Sequence, residues 1–429
     1  VHRYMRILDS VSGIDMTNIV AITFTKKAAG ELKNRLASLI DIQLDRKQKD
    51  LWLSQLPNAY ISTIHGFCHR LIKKYGSVLD LDPQFVVMDG DQAMIVWNHI
   101  MDTYLLNAQL AKNEFLKQFL LHFSFAQLKQ DLIRLFERRD QMGRAEDAEN
   151  ELLSDFMASI LEDPNLKTTT HAIHLTSCLK NLFFDCFELY SEWKTEESKY
   201  DYSDLMENML VLLGHKTIRL DLQKKFRFIM VDECQDTDDF QWEIIRLLCR
   251  DFDSLLAKDR KPDSEVEANN KDVKQQKESV LLDEDRETDV GQITGQNLFL
   301  VGDMKQSIYS FRGANPRVYA SVLDKLKGSN VLYVNLNENF RTQPRVIEGI
   351  NKLFQSVFNK TYPDSEPRYV RYDSLIACRQ QKEGNLFFNS TSIEQEPHDM
   401  ARWMLSKFKD GHSWQDMALL FRRKTRLDV

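Results

Sequence analysis

Two hydrophobic patterns alternate along the 429 residues. Short runs of mainly apolar residues, such as Phe228–Val231 and Asn297–Val301 (NLFLV), read as buried strands, and apolar runs covered on both faces are the habit of parallel sheets. Longer segments carry apolar residues three and four positions apart, the spacing of one helix face. Asn18–Thr25 (NIVAITFT) predicts a strand, followed by a helix over Lys26–Ile40 through Ala28, Ala29, Leu32, Leu36 and Leu39. Ala59–Thr63 and Ile64–Tyr75 repeat the strand and helix, with Phe67, Leu71 and Ile72 on one side. Between about Leu81 and Tyr200 the strand pattern vanishes and helical spacing dominates, as in Gln127–Arg139. A helix over Phe240–Cys249 follows the Phe228–Val231 strand. Further on, strand-like segments at Val331–Leu336, Asn385–Asn389 and Met417–Phe421 are separated by helical patterns at Arg345–Phe358 and Pro397–Phe408. Alternating strand and helix predicts an α/β fold with parallel sheets and a mostly helical insertion.

The richest chemistry lies where two of these strands end. Phe226–Thr237 (FRFIMVDECQDT) delivers Asp232 and Glu233 side by side, with Gln235 and Asp236 behind them. Carboxylates at the C-terminal end of a parallel strand face the crevice where α/β sheets bind ligands. One can hold Mg2+, and its neighbour can orient or deprotonate a water. An acidic pair after a strand equally suits the first turn of a helix, and the pair by itself does not choose. Gly302–Ala314 (GDMKQSIYSFRGA) packs Gln306, Tyr309, Phe311 and Arg312 into one turn. Gln306 can read a terminal phosphate. An aromatic beside an arginine suits unpaired bases, at roughly 1–3 kcal/mol per stacked base, and equally suits a buried ring with a salt-bridged arginine.

Composition narrows the class. With 43% hydrophobic and 28% charged residues, the chain has the balance of a multidomain globular protein. The net charge of −7 is concentrated between Asp251 and Asp289, where 13 acidic residues face 7 basic ones. The remainder is nearly neutral, so a basic groove for nucleic acid is not excluded. Asp251–Gln296 itself reads as a solvated, flexible insertion. Six scattered cysteines without CxxC spacing indicate neither a zinc site nor a disulfide framework, which fits a reducing cytoplasm. No apolar run of about 18 residues predicts a membrane span, and no charged leader with an apolar core opens the sequence.

VDECQDT, VGDMKQSIYSFRGA and NENFRTQPRVIEGIN resemble three successive motifs of the superfamily-one DNA helicases of the UvrD/Rep type. TFTKKAAGELKNRL and STIHGFCHRLI resemble two earlier motifs, and the five stand in the family's order between Ile19 and Asn351. The resemblance implies a P-loop (RecA-like) core. Domain 1A would comprise residues 1–80 and 201–339, a helical domain 1B residues 81–200, a charged insertion in 1A residues 251–296, and a partial domain 2A residues 340–429. It implies ATP and Mg2+ as cofactors: Asp232 would hold the metal, Glu233 would be the general base, and Gln306 would sense the γ-phosphate. Arg341 would be the arginine finger, whose guanidinium stabilises charge on the transferring phosphoryl group. Phe340 would stack on adenine. Phe24, Thr25, Thr63, His65, Tyr309, Phe311 and Arg312 would contact single-stranded DNA.

Within the family, Leu79–Ala93 (LDLDPQFVVMDGDQA), Tyr200–Leu213 (YDYSDLMENMLVLL), Lys305 and Tyr372–Leu375 (YDSL) are similar to AddA/RexA helicase–nuclease subunits. That likeness implies 3′–5′ translocation from duplex ends in double-strand-break repair and recombination, an exonuclease in the parent protein, and an AddB/RexB-like partner. The alternatives are a UvrD/Rep-like repair helicase and a non-catalytic DNA-binding remnant of the fold. The sequence departs from the family in one respect above all. No GxxxxGK[ST] loop, whose amides cradle phosphates, precedes TFTKKAA, and the 18 residues before Ile19 contain Gly13 as their one glycine. The family's last two motifs and a nuclease domain are likewise missing before Val429. The expectation is a fragment of a larger helicase, inactive by itself.

Overall fold

The computed structural model describes residues 1–43, 46–137, 139, 169–249, 297–309, 314–315, 319–320, 322–323, 332–358, 372–380, 392 and 395–420. The chain divides into two compact units, Val1–Tyr333 and Val334–Val429.

The first unit begins with α1 (His2–Ser10), β1 (Ile19–Ile22), α2 (Lys26–Gln43), α3 (Arg46–Gln55), β2 (Tyr60–Ser62) and α4 (Ile64–Tyr75). A helical stretch follows: the two-residue β3 (Val86–Val87), then α5 (Gly90–Leu110), α6 (Glu114–Leu120), α7 (Phe125–Glu137) and α8 (Thr169–Glu196). The chain returns through β4 (Lys199–Tyr200), α9 (Tyr202–Gly214), α10 (Lys216–Lys225), β5 (Phe228–Val231), α11 (Asp239–Leu248) and β6 (Leu298–Leu300).

Among the described residues, β2, β1, β5 and β6 form one parallel sheet in that order. Its register sets Val20 beside Tyr60 on one side and Ile229 on the other. Alternation along the strands feeds two cores. Val20, Ile22, Ile229 and Val231 pack with Phe67 and Leu71 of α4, Met209 of α9 and Ile245 of α11. Ile19 and Ala21 face the opposite way, onto Tyr4 of α1, Leu36 of α2 and Trp52 of α3, with Phe228 and Met230 packed alongside. Both faces of β1 and β5 are covered, as uninterrupted apolar strands require, whereas β6, expected to be buried, leaves Phe299 exposed.

The helical stretch carries its own core around Trp97, which stacks on Phe136 at 4.3 Å and 11° and packs with Phe119, Leu132, Phe183 and Tyr190. It enters and leaves through the parallel pairing of β3 with β4. The sequence pattern expected no strands there, because two residues are too few to show a period of two. No helix among the described residues is long and apolar enough to cross a membrane.

In the second unit, β7 (Glu338–Asn339) pairs in parallel with β8 (Ile376–Ala377), beside α12 (Pro344–Phe358), and α13 (Glu396–Lys409) follows. Asn351 of α12 ties this unit together, accepting from the Tyr372 hydroxyl at 2.7 Å and from the Leu375 amide at 2.9 Å. The strand expected over Val331–Leu336 is not formed: residues 332–337 have no regular structure. Their apolar side chains, Leu332, Tyr333, Val334 and Leu336, are exposed, so they have no covering face to hold them in a sheet. Met417–Leu420 likewise lacks strand structure. The expected strand at Asn385–Asn389 and the charged insertion at 251–296 lie outside the described residues.

Candidate active site

Four of the sequence motifs converge at one edge of the sheet because its strands all run the same way. Thr23–Thr25 follow β1, Thr63–His65 follow β2, Asp232 and Glu233 follow β5, and Gly302 and Asp303 lie just past β6. Backbone pairing continues past the strands, with the Asp232 amide on the Ile22 carbonyl at 2.9 Å and the Cys234 amide on the Val301 carbonyl at 3.0 Å. This continuation holds the β5 and β6 loops against each other.

The turn after β5 is sharp. Glu233 adopts a left-handed backbone, φ 51°, rare for a side chain other than glycine and costing on the order of 1–2 kcal/mol. A 3-10 turn over Cys234–Asp236 follows. Its Gln235 is 1% exposed and donates from Nε2 to Glu233 at 2.9 Å and to Asp236 at 3.2 Å, while its Oε1 accepts from the Asp303 amide at 2.9 Å. The facing position has to be glycine: a Cβ on Gly302 would come within 2.7 Å of both Cys234 Sγ and Gln235 Oε1. Asp303 in turn accepts from Gln306 Nε2 at 3.0 Å and pairs with Lys305 Nζ at 2.8 Å. Glu233, Gln235, Asp303 and Gln306 therefore form one hydrogen-bonded chain across the two loops.

The charges in this chain are unevenly matched. Burial, and then the neighbouring Glu233 charge, raise the pKa of Asp232 and of Asp236 above the ordinary carboxylate value. Burial also works to raise that of Asp303, but hydrogen bonds from Lys305 and Gln306 outweigh it and hold this carboxyl below its usual value. One oxygen of Asp236, Oδ1, is buried with no hydrogen-bond partner. Burial pushes the Cys234 thiol up to about 12, which keeps it protonated and unreactive. The donor set at the end of β5 is thus hard carboxylate oxygen, which fits Mg2+, an ion bound through one or two carboxylates plus phosphate oxygens. Beside it opens a cavity of about 300 Å3 lined by Thr23, Glu31, Arg35, Asp232, Phe299 and Val301.

Five of the other expected site residues, Phe24, Thr25, Thr63, His65 and Tyr309, fall on the same edge. Phe24 and Tyr309, 285 positions apart, bring their rings together at 4.8 Å and 37°. Thr25 Oγ1 accepts from the Ala28 amide at 3.1 Å, and Thr63 Oγ1 accepts from the Gly66 amide at 3.3 Å. Each threonine therefore caps the helix that follows it and keeps its own O–H to donate. The His65 ring lies 4.6 Å from that of Tyr202, at the start of α9. Next to Tyr202, Asp201 and Asp204 bind Lys194 of α8 in a buried ion cluster completed by Arg139 and the Tyr190 hydroxyl. The sequence pattern did not single out Gln235, Gly302 or this cluster as functional. The signal available for Gln235 was its position between Glu233 and Asp236.

Phe340 and Arg341 belong to the second unit. Phe340 is exposed, and the amides of Arg341 and Thr342 both donate to Asn339 Oδ1, at 3.0 and 2.7 Å, forming a tight turn. Phe311 and Arg312 lie outside the described residues.

The UvrD/REP helicase N-terminal domain family matches residues 1–259 and 250–327. The chain is 26% identical to a probable DNA helicase II homolog of Mycoplasma pneumoniae, over 97% of this chain and 46% of that protein. It is 24% identical to the ATP-dependent DNA helicase Rep of Buchnera aphidicola, over 94% and 47% respectively. With an ATP-dependent helicase/nuclease protein of Natranaerobius thermophilus it shares 23% identity, over 92% of this chain and 38% of that protein. The chain spans about half the length, or less, of these curated relatives.

Proposed function

The chain belongs to the UvrD/REP helicase family, and on that footing we propose that it forms the motor part of an ATP-dependent DNA helicase with a P-loop (RecA-like) core. The observation that carries this reading is the convergence of the β1, β2, β5 and β6 loops at one sheet edge, acids and aromatics together. Two relatives named ATP-dependent helicases, one of them Rep, support the use of ATP.

In this reading Glu233 takes the proton of the attacking water and Gln306 reports the γ-phosphate. Asp232 would hold Mg2+, which supplies charge neutralisation at the phosphate oxygens. Arg341 stabilises charge on the transferring phosphoryl group, and Phe340 offers a face to adenine. Phe24 and Tyr309 stack on bases, while Thr25, Thr63 and His65 contact the backbone of a single strand, joined by Phe311 and Arg312. The parts proposed for these tasks are domain 1A (1–80 and 201–339), 1B (81–200), the charged insertion (251–296) and domain 2A (340–429).

The finer proposal is an AddA-type protein working 3′–5′ from duplex ends in the cytoplasm with an AddB-like partner, supported by the Tyr200–Leu213 and Tyr372–Leu375 motifs and by the helicase/nuclease relative. A repair-helicase reading is favoured by the helicase II and Rep relatives at slightly higher identity. ATP-dependent exonuclease activity of the full-length protein on linear duplex separates the two.

The test of the motor itself is ATP hydrolysis by the full-length protein with and without single-stranded DNA. Glu233→Gln should lower stimulated turnover by roughly 10²–10⁴-fold, the usual worth of a general base, and leave strand affinity unchanged. Undiminished turnover in that variant would remove Glu233 from its role, and a wild-type protein without ATPase activity would remove the motor.

A further inference from the structure

The proposed reaction has no use for Gln235, yet its side chain is tied on both sides of the site. Its orientation is fixed by its partners: the Asp303 amide can only donate and the Glu233 and Asp236 carboxylates accept, so Oε1 must face the first and Nε2 the others. Its backbone carbonyl also accepts from Ser307 Oγ at 3.3 Å. Ser307 stands two residues before Tyr309, whose ring touches Phe24, and one after Gln306, which holds Asp303. The Gly302 backbone comes so near the Gln235 amide that no side chain fits between them. A displacement of the Asp303–Tyr309 segment therefore pulls on the Gln235 amide, and the same amide holds the Glu233 carboxylate.

We propose that Gln235 is a positioning residue that makes the Glu233 carboxylate answer to the Asp303–Tyr309 segment, so that a strand held at Tyr309 sets the aim of the group that activates water. The proposal rests on the motor reading above and adds to it the residue through which strand binding reaches turnover. Gln235 touches neither nucleotide nor DNA in this scheme; it acts through Glu233 on one side and the Asp303 amide on the other.

Two substitutions of nearly the same shape divide its two ties. Gln235→Met removes both. Gln235→Glu keeps an acceptor for the Asp303 amide but sets a third carboxylate against Glu233 and Asp236. In the full-length protein, Gln235→Met should keep its affinity for an oligo-dT strand and its KM for ATP, while the strand-stimulated kcat falls by about tenfold or more, by a larger factor than the unstimulated rate. Amide hydrogen exchange at Asp303 should accelerate in Gln235→Met and stay slow in Gln235→Glu, although both lose stimulation. Should Gln235→Met fail to fold, as its melting curve would reveal, Gln235→Glu decides by the same split between strand affinity and stimulated kcat.

Stimulation at the wild-type level in the folded variants overturns the proposal. So does a fall in strand affinity that matches the fall in kcat, which would mark Gln235 as merely structural. A wild-type protein with no ATPase activity is a failure of the motor reading instead. The exchange arm still reports then: unchanged exchange at Asp303 in Gln235→Met overturns the tie, and faster exchange upholds it.

Discussion

Replacing Lys194 by methionine tests whether the helical stretch is locked to the sheet by buried charge. The Lys194 side chain is 6% exposed and reaches Asp204 at 2.7 Å through both carboxylate oxygens and Asp201 at 3.3 Å. Asp201 has other support: Arg139 at 3.0 Å, the Tyr190 hydroxyl at 3.0 Å, and the Ser203 and Asp204 amides of the helix it caps. Burial acts to raise the Asp201 pKa, but Lys194 and Arg139 outweigh it and carry that carboxyl well below its ordinary range. Asp204 fares differently. Burial and the adjoining Asp201 charge push it up to about 6 even with the lysine present, and without the lysine the Asp201 amide is left to hold its carboxylate.

Removing one member of a buried ion pair costs about 3–5 kcal/mol, because the partner is left charged and uncompensated. Asp204 can escape by taking a proton. With the lysine present Asp204 already sits at about 6, so by pH 5 it is largely protonated in the wild type as well and losing its charged partner then costs little. A carboxyl whose folded pKa is raised favours the folded state as pH falls, so the penalty must shrink in acid. Lys194→Met should therefore lose about 3–5 kcal/mol at pH 8 and clearly less at pH 5. At roughly 2–4 °C per kcal/mol, the melting temperature drops by roughly 6–20 °C at pH 8 and by clearly less at pH 5. Circular dichroism melts at the two pH values measure this directly, and adding Asp204→Asn should restore most of the loss at pH 8. Equal drops at both pH values, or a drop under about 2 °C at pH 8, would refute the reasoning and mark the cluster as an ordinary surface ion pair.

Phe24→Ala and Tyr309→Ala should each weaken single-strand binding by about 1–3 kcal/mol, and the double variant should lose less than their sum, since the two rings touch; strict additivity in fluorescence titrations would separate the rings' roles. Thr25→Ala should lower stability by about 1 kcal/mol through the lost helix cap, whereas Thr25→Ser should keep both the cap and strand affinity in denaturant and binding titrations. Asp232→Asn should raise the melting temperature at pH 7 to 8 while abolishing Mg2+-dependent turnover. Burial and Glu233 raise this carboxyl's folded pKa, so its ionised form disfavours the fold above the unfolded value, and the gain should vanish as pH falls toward about 4; a loss of stability at pH 7 would contradict that sign.

What the sequence made legible follows from local periodicity, and what it hid follows from polar pairing over long separations. β1 and β5 stood out because Ile19–Ile22 and Phe228–Val231 are apolar on both faces, a pattern that needs no knowledge of the partner strand. Helices α4 and α11 followed from spacing within one or two residues of their observed ends. The same rule misled at Val331–Leu336, where apolar residues have no covering face. Lys194 shows the opposite failure: a lysine within a long helix reads as solvent-facing, and its burial is decided by Asp201 and Asp204, which lie beyond the helix end. Gln235 is harder still, since its amide depends on Asp303, 68 positions away, and no spacing rule reaches across the segment between them. Both residues are held inside by pairing with the polar atoms their neighbours present. A polar residue next to a strand end is therefore best judged by whether the facing loop leaves room for it, and here the glycine at Gly302, followed directly by Asp303, was the mark of that close approach.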